Sequence, residues 1–193
     1  MTLSYWEQRT WLSNIDFTIV GSGIVGLNAA LHLKEKYPES RVLILERGLL
    51  PNGASTKNAG FACFGSLSEI LDDLDSPSEA MVVNLVQKRI RGLDLLRKTL
   101  GDQSIDLQMY GGYEFFLKED EINHTQCISR MSLVNQLLKP IFKEDVFSIC
   151  ENKFNFQNIR QPLIFNKYEG QIDTGKMMEA LLHKVQAAGV KVL

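Results

Sequence analysis

The segment Gly21-Ser22-Gly23-Ile24-Val25-Gly26 constrains what this chain can fold into more than any other. It follows a β-branched apolar run, Ile15 to Val20, which reads as a buried parallel strand. It opens the stretch Ile24 to Lys36, where Val25, Leu27, Ala29, Ala30, Leu31 and Leu33 describe an amphipathic helix. Tyr37-Pro38 ends that helix, because the residue before a proline is pushed out of the α region. Arg41 to Glu46 (RVLILE) then reads as a second buried strand. Strand, helix and strand within about thirty residues make one βαβ unit, with a right-handed crossover expected.

Alone, a GxGxxG turn is weak evidence, but here an acid, Glu46, ends the next strand about 20 residues later. Each part has a physical task. Gly21 permits the tight turn, Gly23 lets backbone approach a pyrophosphate, and Gly26 lets helix and strand pack closely. The helix N-terminus, at Ile24 and Val25, offers unpaired N–H groups and partial positive charge to phosphates. Glu46 can accept hydrogen bonds from both ribose hydroxyls of an adenosine, and its charge disfavours a 2′-phosphate. These features predict a dinucleotide site at which NADP is disfavoured.

NAD and FAD share such a unit, and the next segment separates them. An NAD domain usually proceeds promptly to its next helix, whereas this chain makes a glycine- and hydroxyl-rich loop, Arg47 to Gly65. Ser55, Thr56 and backbone N–H groups there can line the pyrophosphate and ribityl chain of an extended flavin dinucleotide. FAD is therefore the expected cofactor.

Further along, Ser4 to Leu12, with Tyr5, Trp6 and Trp11, reads as a short helix packed on the domain. Capping boxes at Ser66-x-x-Glu69 and Ser76-Pro77-x-Glu79 predict helices through Leu74 and Leu100, with Gly101 as the stop. Ile105 to Tyr110 and Tyr113 to Lys118 are predicted as a hairpin turning at Gly111-Gly112. Glu119 to Leu138 is helical in period, and Val146 to Phe165 is the least legible stretch. Asp173 caps a helix from Thr174 to Ala188, Gly189 ends it, and Val190 to Leu193 begin another strand. A strand beginning there has no successor, so the fold is expected to be cut off rather than finished.

Composition narrows the function classes. Hydrophobic residues make up 45% and charged residues 23%, as in a soluble globular protein, and the net charge of -2 offers no basic surplus for a nucleic acid. No apolar run approaches the ~20 residues of a membrane span, and no signal peptide is evident. Cys63, Cys127 and Cys150 form neither a disulfide framework nor a zinc site, and a cytoplasmic setting is expected. Cys63 could carry a covalent flavin link, but a small buried apolar role is expected of it. His32, His124 and His183 lack partners at metal spacing and read as surface or packing residues, so no metal is expected. Lys57 either neutralises phosphate charge, sits near the flavin or is solvated, and Tyr113, Phe115 and Phe116 suit a sheet of either a core or a substrate domain.

The segment from Phe17 to Gly65, through GSGIVG, ILERG and GASTKNAGFA, resembles the N-terminal part of the D-amino-acid oxidase/glycine oxidase/sarcosine oxidase superfamily of FAD-dependent oxidoreductases. YGGYEFF resembles the first hairpin of that family's substrate domain, and Glu169 to Asp173 the return from it. The resemblance implies that Glu46 and Arg47 bind the adenosine and that Ser55, Thr56, Lys57, Asn58, Ala59 and Gly60 lie against the flavin. It implies an α/β fold: a Rossmann-like FAD-binding domain at residues 1–100 and 170–193, with an incomplete α+β substrate domain inserted at 101–169. It also implies oxidation of an amine C–N bond in an amino acid or N-substituted amino acid, by hydride transfer from a small-molecule substrate to flavin. No side chain is assigned a catalytic role. Two other readings stand beside this one: the FAD module of a tRNA-modification enzyme, and a truncated nucleotide-binding fragment without activity.

Overall fold

A computed structural model describes residues 3–75 and 78–193. In chain order the elements are α1 (Tyr5–Glu7), a π-helical turn (Gln8–Leu12), β1 (Phe17–Val20), α2 (Ile24–Lys36), β2 (Val42–Leu45), β3 (Phe61–Ala62), α3 (Leu67–Leu74) and α4 (Glu79–Leu100). There follow a 3-10 turn (Gln103–Ile105), β4 (Gly112–Glu114), α5 (Glu121–Phe142), β5 (Phe147–Cys150), β6 (Leu163–Asn166), β7 (Gly170–Gln171), α6 (Thr174–Ala187) and β8 (Lys191–Val192). The chain divides into two compact units. One comprises the described residues of Met1–Gly60 with Leu100–Asp106 and Asp173–Leu193; the other comprises those of Phe61–Thr99 with Leu107–Ile172.

The first unit is built on a parallel sheet in the order β1-β2-β8. Phe17 pairs with Val42 and Val20 with Leu45, while Ile44 pairs with Val192. β2 is central, and Val42, Leu43 and Ile44 are all buried, as an apolar run without alternation requires. β1, expected to be equally buried, alternates between half-buried and exposed, and Val20 is 86% exposed. The reason is its position: among the described residues it pairs with β2 alone. α2 buries Leu27, Ala30 and Leu31, spaced to form one stripe, and lies beside α6. α6 starts where expected, with Asp173 Oδ1 accepting the Lys176 N–H at 2.9 Å, and buries Met177, Met178, Leu181 and Val185. Gly189 ends it with φ +79°.

The N-terminal helix departs from expectation. Ser4 and Glu7 form a capping box, but α1 and the π-helical turn bury no residue. Tyr5 and Trp6 pack on each other, ring centroids 5.1 Å apart, instead of on the core.

In the second unit, β4-β6-β5 form an antiparallel sheet and β3 pairs with β7. The predicted cap of α3 is present: Ser66 Oγ accepts the Glu69 N–H at 3.3 Å and Glu69 Oε2 accepts the Ser66 N–H at 2.9 Å. The box predicted at Ser76-Pro77 lies outside the described residues. Residues 61–99, expected with the first domain, fall in this unit because Phe64, Leu67, Ile70, Leu71, Val82 and Val86 share one core with Phe116, Met131, Val134, Leu138 and Ile164. Full burial of each such side chain contributes about 1.5–3 kcal/mol. Asn135 is buried among them with its hydrogen bonds satisfied: Oδ1 accepts from the Val146 and Phe147 amides, and Nδ2 donates to the Phe147 carbonyl.

The hairpin expected at Gly111-Gly112 is absent. Gln103–Ile105 is a 3-10 turn, Gln108 bridges Gln171, and β4 pairs with β6. The two glycines admit the passing segment around Glu169. The Gly111 N–H donates to the Glu169 carbonyl at 2.9 Å, and a Cβ added to Gly112 would fall 1.5 Å from Glu169 Oε2.

Cys63 is exposed, contrary to the buried role expected of it. In the extended segment Phe61 to Phe64 burial alternates, and Cys63 takes an outer position while Ala62 and Phe64 point in. Partial desolvation, with the Glu169 and Glu69 charges, nonetheless raises its thiol pKa. His124 is buried, its Nε2 2.9 Å from the Pro162 carbonyl and its ring against Phe116, while His32 and His183 are exposed. Among the described residues, no group of three or more His, Cys, Asp or Glu could hold a metal ion, and no helix is long and apolar enough to cross a membrane.

Candidate nucleotide-binding site

The site grows from the turn between β1 and α2. The Gly21 N–H still donates to the Leu45 carbonyl at 2.8 Å, so the turn leaves the sheet only after its last ladder bond. Gly21 then takes φ +93°, a left-handed conformation that glycine adopts at no steric cost. Gly23 caps α2 and has no side chain to satisfy the helix amides. Instead, Ser55 Oγ accepts the Ile24 N–H at 3.0 Å. The amides of Val25 and Gly26 have no acceptor among the described residues. A Cβ at Gly26 would lie 2.1 Å from the Gly21 carbonyl oxygen, so only glycine permits this close helix–turn contact.

Glu46 stands at the end of β2, directly across from the turn. Its Oε2 accepts from the Ser22 N–H at 2.8 Å and from the Ser22 hydroxyl at 2.7 Å, and its Oε1 accepts from the Gly48 N–H at 3.1 Å. Hydrogen bonds from the Ser22 amide, the Ser22 hydroxyl and the Gly48 amide, in that order of weight, bring its pKa down to about 2. Glu46 is therefore an ionised acceptor throughout the physiological range.

These groups share one cavity of about 440 Å³, lined by Val20, Gly21, Gly23, Leu45, Glu46, Arg47, Gly48, Pro51, Asn52, Gly53 and Ser55. The volume is within the range of small-molecule sites, about 300–1,000 Å³. Of the residues singled out from sequence, Gly21, Gly23, Glu46, Arg47 and Ser55 line it, and Ile24 touches it through Ser55. Gly26 acts in packing, and Val25 is 80% exposed. Thr56 and Asn58 spend their side chains on the loop itself: Thr56 Oγ1 donates to the Pro51 and Gly53 carbonyls, and Asn58 bonds to Ala54, Ser55 and Gly60. Lys57, Ala59 and Gly60 do not line the cavity; Lys57 and Ala59 are exposed, and Gly60 turns the chain with φ +75°. Sequence reasoning missed Ser22, a variable position of the motif, and Gly48 and Gly53, whose glycine-rich context was the available signal.

Residues 16–193 match the model of the FAD dependent oxidoreductase family, and the chain belongs to that family. Its members are flavoenzymes with FAD as cofactor. Among curated proteins, L-aspartate oxidase 1 of Ralstonia nicotianae is 38% identical over 66 residues, which is 34% of this chain and 11% of that protein. Among solved structures, L-amino acid deaminase of Proteus myxofaciens superposes with TM-score 0.64 at 19% identity, covering 93% of this chain and 38% of that one. Glycine oxidase of Geobacillus kaustophilus gives TM-score 0.64 at 18% identity, over 92% of this chain and 46% of that one. The likeness to these structures is one of fold, and the chain spans less than half of their length.

Proposed function

We propose that the cavity beside Glu46 takes the adenosine-diphosphate end of FAD, with Gly21, Gly23, Ile24, Val25, Gly26, Glu46, Arg47, Ser55, Thr56, Lys57, Asn58, Ala59 and Gly60 as the cofactor segment. The observation that carries this reading is that one cavity joins the glycine turn, the N-terminus of α2 and an ionised Glu46. The residues fit the group. Free amides at Val25 and Gly26, with the helix dipole behind them, suit a diphosphate. The Glu46 carboxylate suits ribose hydroxyls and repels a 2′-phosphate. On this reading residues 1–100 and 170–193 belong to the FAD-binding domain and 101–169 to an inserted substrate domain.

The whole protein, on this reading, oxidises an amine C–N bond of an amino acid or N-substituted amino acid. L-aspartate oxidase, L-amino acid deaminase and glycine oxidase are each named for action on an amino acid, which supports that substrate class. When bound, FAD supplies the two-electron acceptor, taking hydride from the substrate α-carbon. This chain's own contribution is to hold the dinucleotide: α2 orients the diphosphate, Glu46 fixes the adenosine, and the Ser55 loop encloses the two.

Two measurements test the reading. Titration with FAD, NAD and NADP should give saturable binding of FAD and no binding of NADP; preference for NADP would overturn the adenosine assignment. Anaerobic mixing of the FAD-loaded full-length protein with amino acids should bleach the flavin colour. Failure of every amino acid and N-substituted amino acid to do so would overturn the proposed activity.

A further inference from the structure

Ser22 occupies the variable position between two glycines whose tasks are backbone tasks. Ser22 is 1% exposed and is not among the residues that line the cavity. Two donors of this one residue, N–H and hydroxyl, converge on the same oxygen of Glu46, at 2.8 and 2.7 Å. The two residues are 24 apart in sequence, so this contact ties the β1–α2 turn to the end of β2. A carboxylate offers about four acceptor positions. Ser22 occupies Oε2 with two donors, whereas Oε1 takes the Gly48 amide at 3.1 Å and the Arg47 amide makes only the weakest contribution to the lowered pKa, so Oε1 is the oxygen with more room for a ligand.

We infer that Ser22 is a positioning residue for nucleoside recognition: its hydroxyl holds the Glu46 carboxylate in the single orientation that presents Oε1 to a ribose hydroxyl. The inference rests on reading the cavity as the dinucleotide site. Without the hydroxyl, Glu46 keeps its charge at neutral pH but gains rotational freedom, and part of the binding free energy goes to ordering it. The same hydroxyl is the second-largest cause of the depressed Glu46 pKa, so its loss moves the carboxyl back toward the ordinary carboxylate range. Other charges at the site are few. Among the described residues Arg47 is the other charged residue lining the cavity, and Leu193, the residue after β8, accepts the Glu46 N–H on its carbonyl.

The test is FAD affinity, by quenching of flavin fluorescence, for wild type, Ser22→Ala, Glu46→Gln and the double variant, at pH 7 and at steps down to pH 4.5. Ser22→Ala keeps the backbone donor and should weaken binding about tenfold at pH 7, equivalent to about 1.4 kcal/mol. At the acid end of the series the ratio of its Kd to that of wild type should be no smaller than at pH 7, because loss of the hydroxyl moves the variant's carboxyl toward the ordinary carboxylate range. In the Glu46→Gln background the Ser22 substitution should add little, since its effect passes through the carboxylate. Equal affinity of wild type and Ser22→Ala across the pH range, or full additivity with Glu46→Gln, would overturn the inference. Should Ser22→Ala fold poorly by circular dichroism, Ser22→Gly keeps the same amide, adds no atom, and is read by the same criteria. Absence of FAD binding by the wild-type chain would instead count against the dinucleotide reading itself.

Discussion

The hydroxyl oxygen of Ser55 lies 3.0 Å from the amide nitrogen of Ile24 and accepts its hydrogen bond, so the loop after β2 is fastened to the first turn of α2. The contact performs from a distance what an N-cap side chain performs locally, at a helix whose N-cap is glycine. Ser55→Ala should cost about 1 kcal/mol in urea unfolding, the usual worth of a helix cap. It should also speed hydrogen exchange at Ile24. An unchanged exchange rate there would show that the contact does not fasten the loop in solution.

Gly26→Ala tests the packing of the turn. The added Cβ would lie 2.1 Å from the carbonyl oxygen of Gly21, a residue whose N–H is bonded to Leu45 of β2. Relief requires α2 to shift, at a cost of about 2–3 kcal/mol or more. Chemical denaturation should show that loss, and a variant as stable as wild type would contradict the tight helix–turn approach.

Much of this first unit was legible because its signals are local. The apolar run through Ile19, the helical spacing of Leu27, Ala30 and Leu31, and the Asp173 cap each sit within a few residues of the elements they dictate. The failures have non-local causes. Gly111-Gly112 carries the composition of a hairpin turn, yet what crowds those glycines is Phe165 at Gly111 and Glu169 at Gly112, each more than fifty positions later. β5 and β6 pair across a long connection in which Asn155 and Asn158 take positive φ, and no periodicity announces that pairing. In the site, Glu46 and the glycines declared themselves by type and spacing. Ser22 did not, because only the geometry of the turn brings its hydroxyl to the carboxylate. Thr56 and Asn58 were legible as loop residues, but their side chains are turned to the loop's own carbonyls.

The pH dependence of stability follows from Glu46. Its folded-state pKa, about 2, lies below the ordinary carboxylate value of about 4.3, so its stabilising contribution is fully present above the unfolded value. That contribution is lost as pH falls from about 4.3 through about 2. Thermal melts of wild type and Glu46→Gln should therefore converge across that window on acidification. Curves that stay parallel would show that the Ser22 and Gly48 donors do not stabilise the ionised form.

In the second unit the sensitive position is Asn135, a buried amide with three hydrogen bonds to Val146 and Phe147. Asn135→Ala strands two buried backbone donors and one acceptor at about 1–3 kcal/mol for each unsatisfied group, and water entry offsets part of this. A total loss of about 2–4 kcal/mol is expected in chemical denaturation. A loss below about 1 kcal/mol, the net worth of one ordinary hydrogen bond, would contradict the assigned bonding.

The central claim is that the cavity between the glycine turn and Glu46 holds the adenosine end of FAD. Its most direct test is an equilibrium titration of the purified chain with FAD beside the Glu46→Arg variant, both checked for folding by circular dichroism. The account predicts one saturable site in wild type and at least about tenfold weaker binding in the variant, from the lost acceptor and the reversed charge. Equal affinity in the two proteins would contradict it.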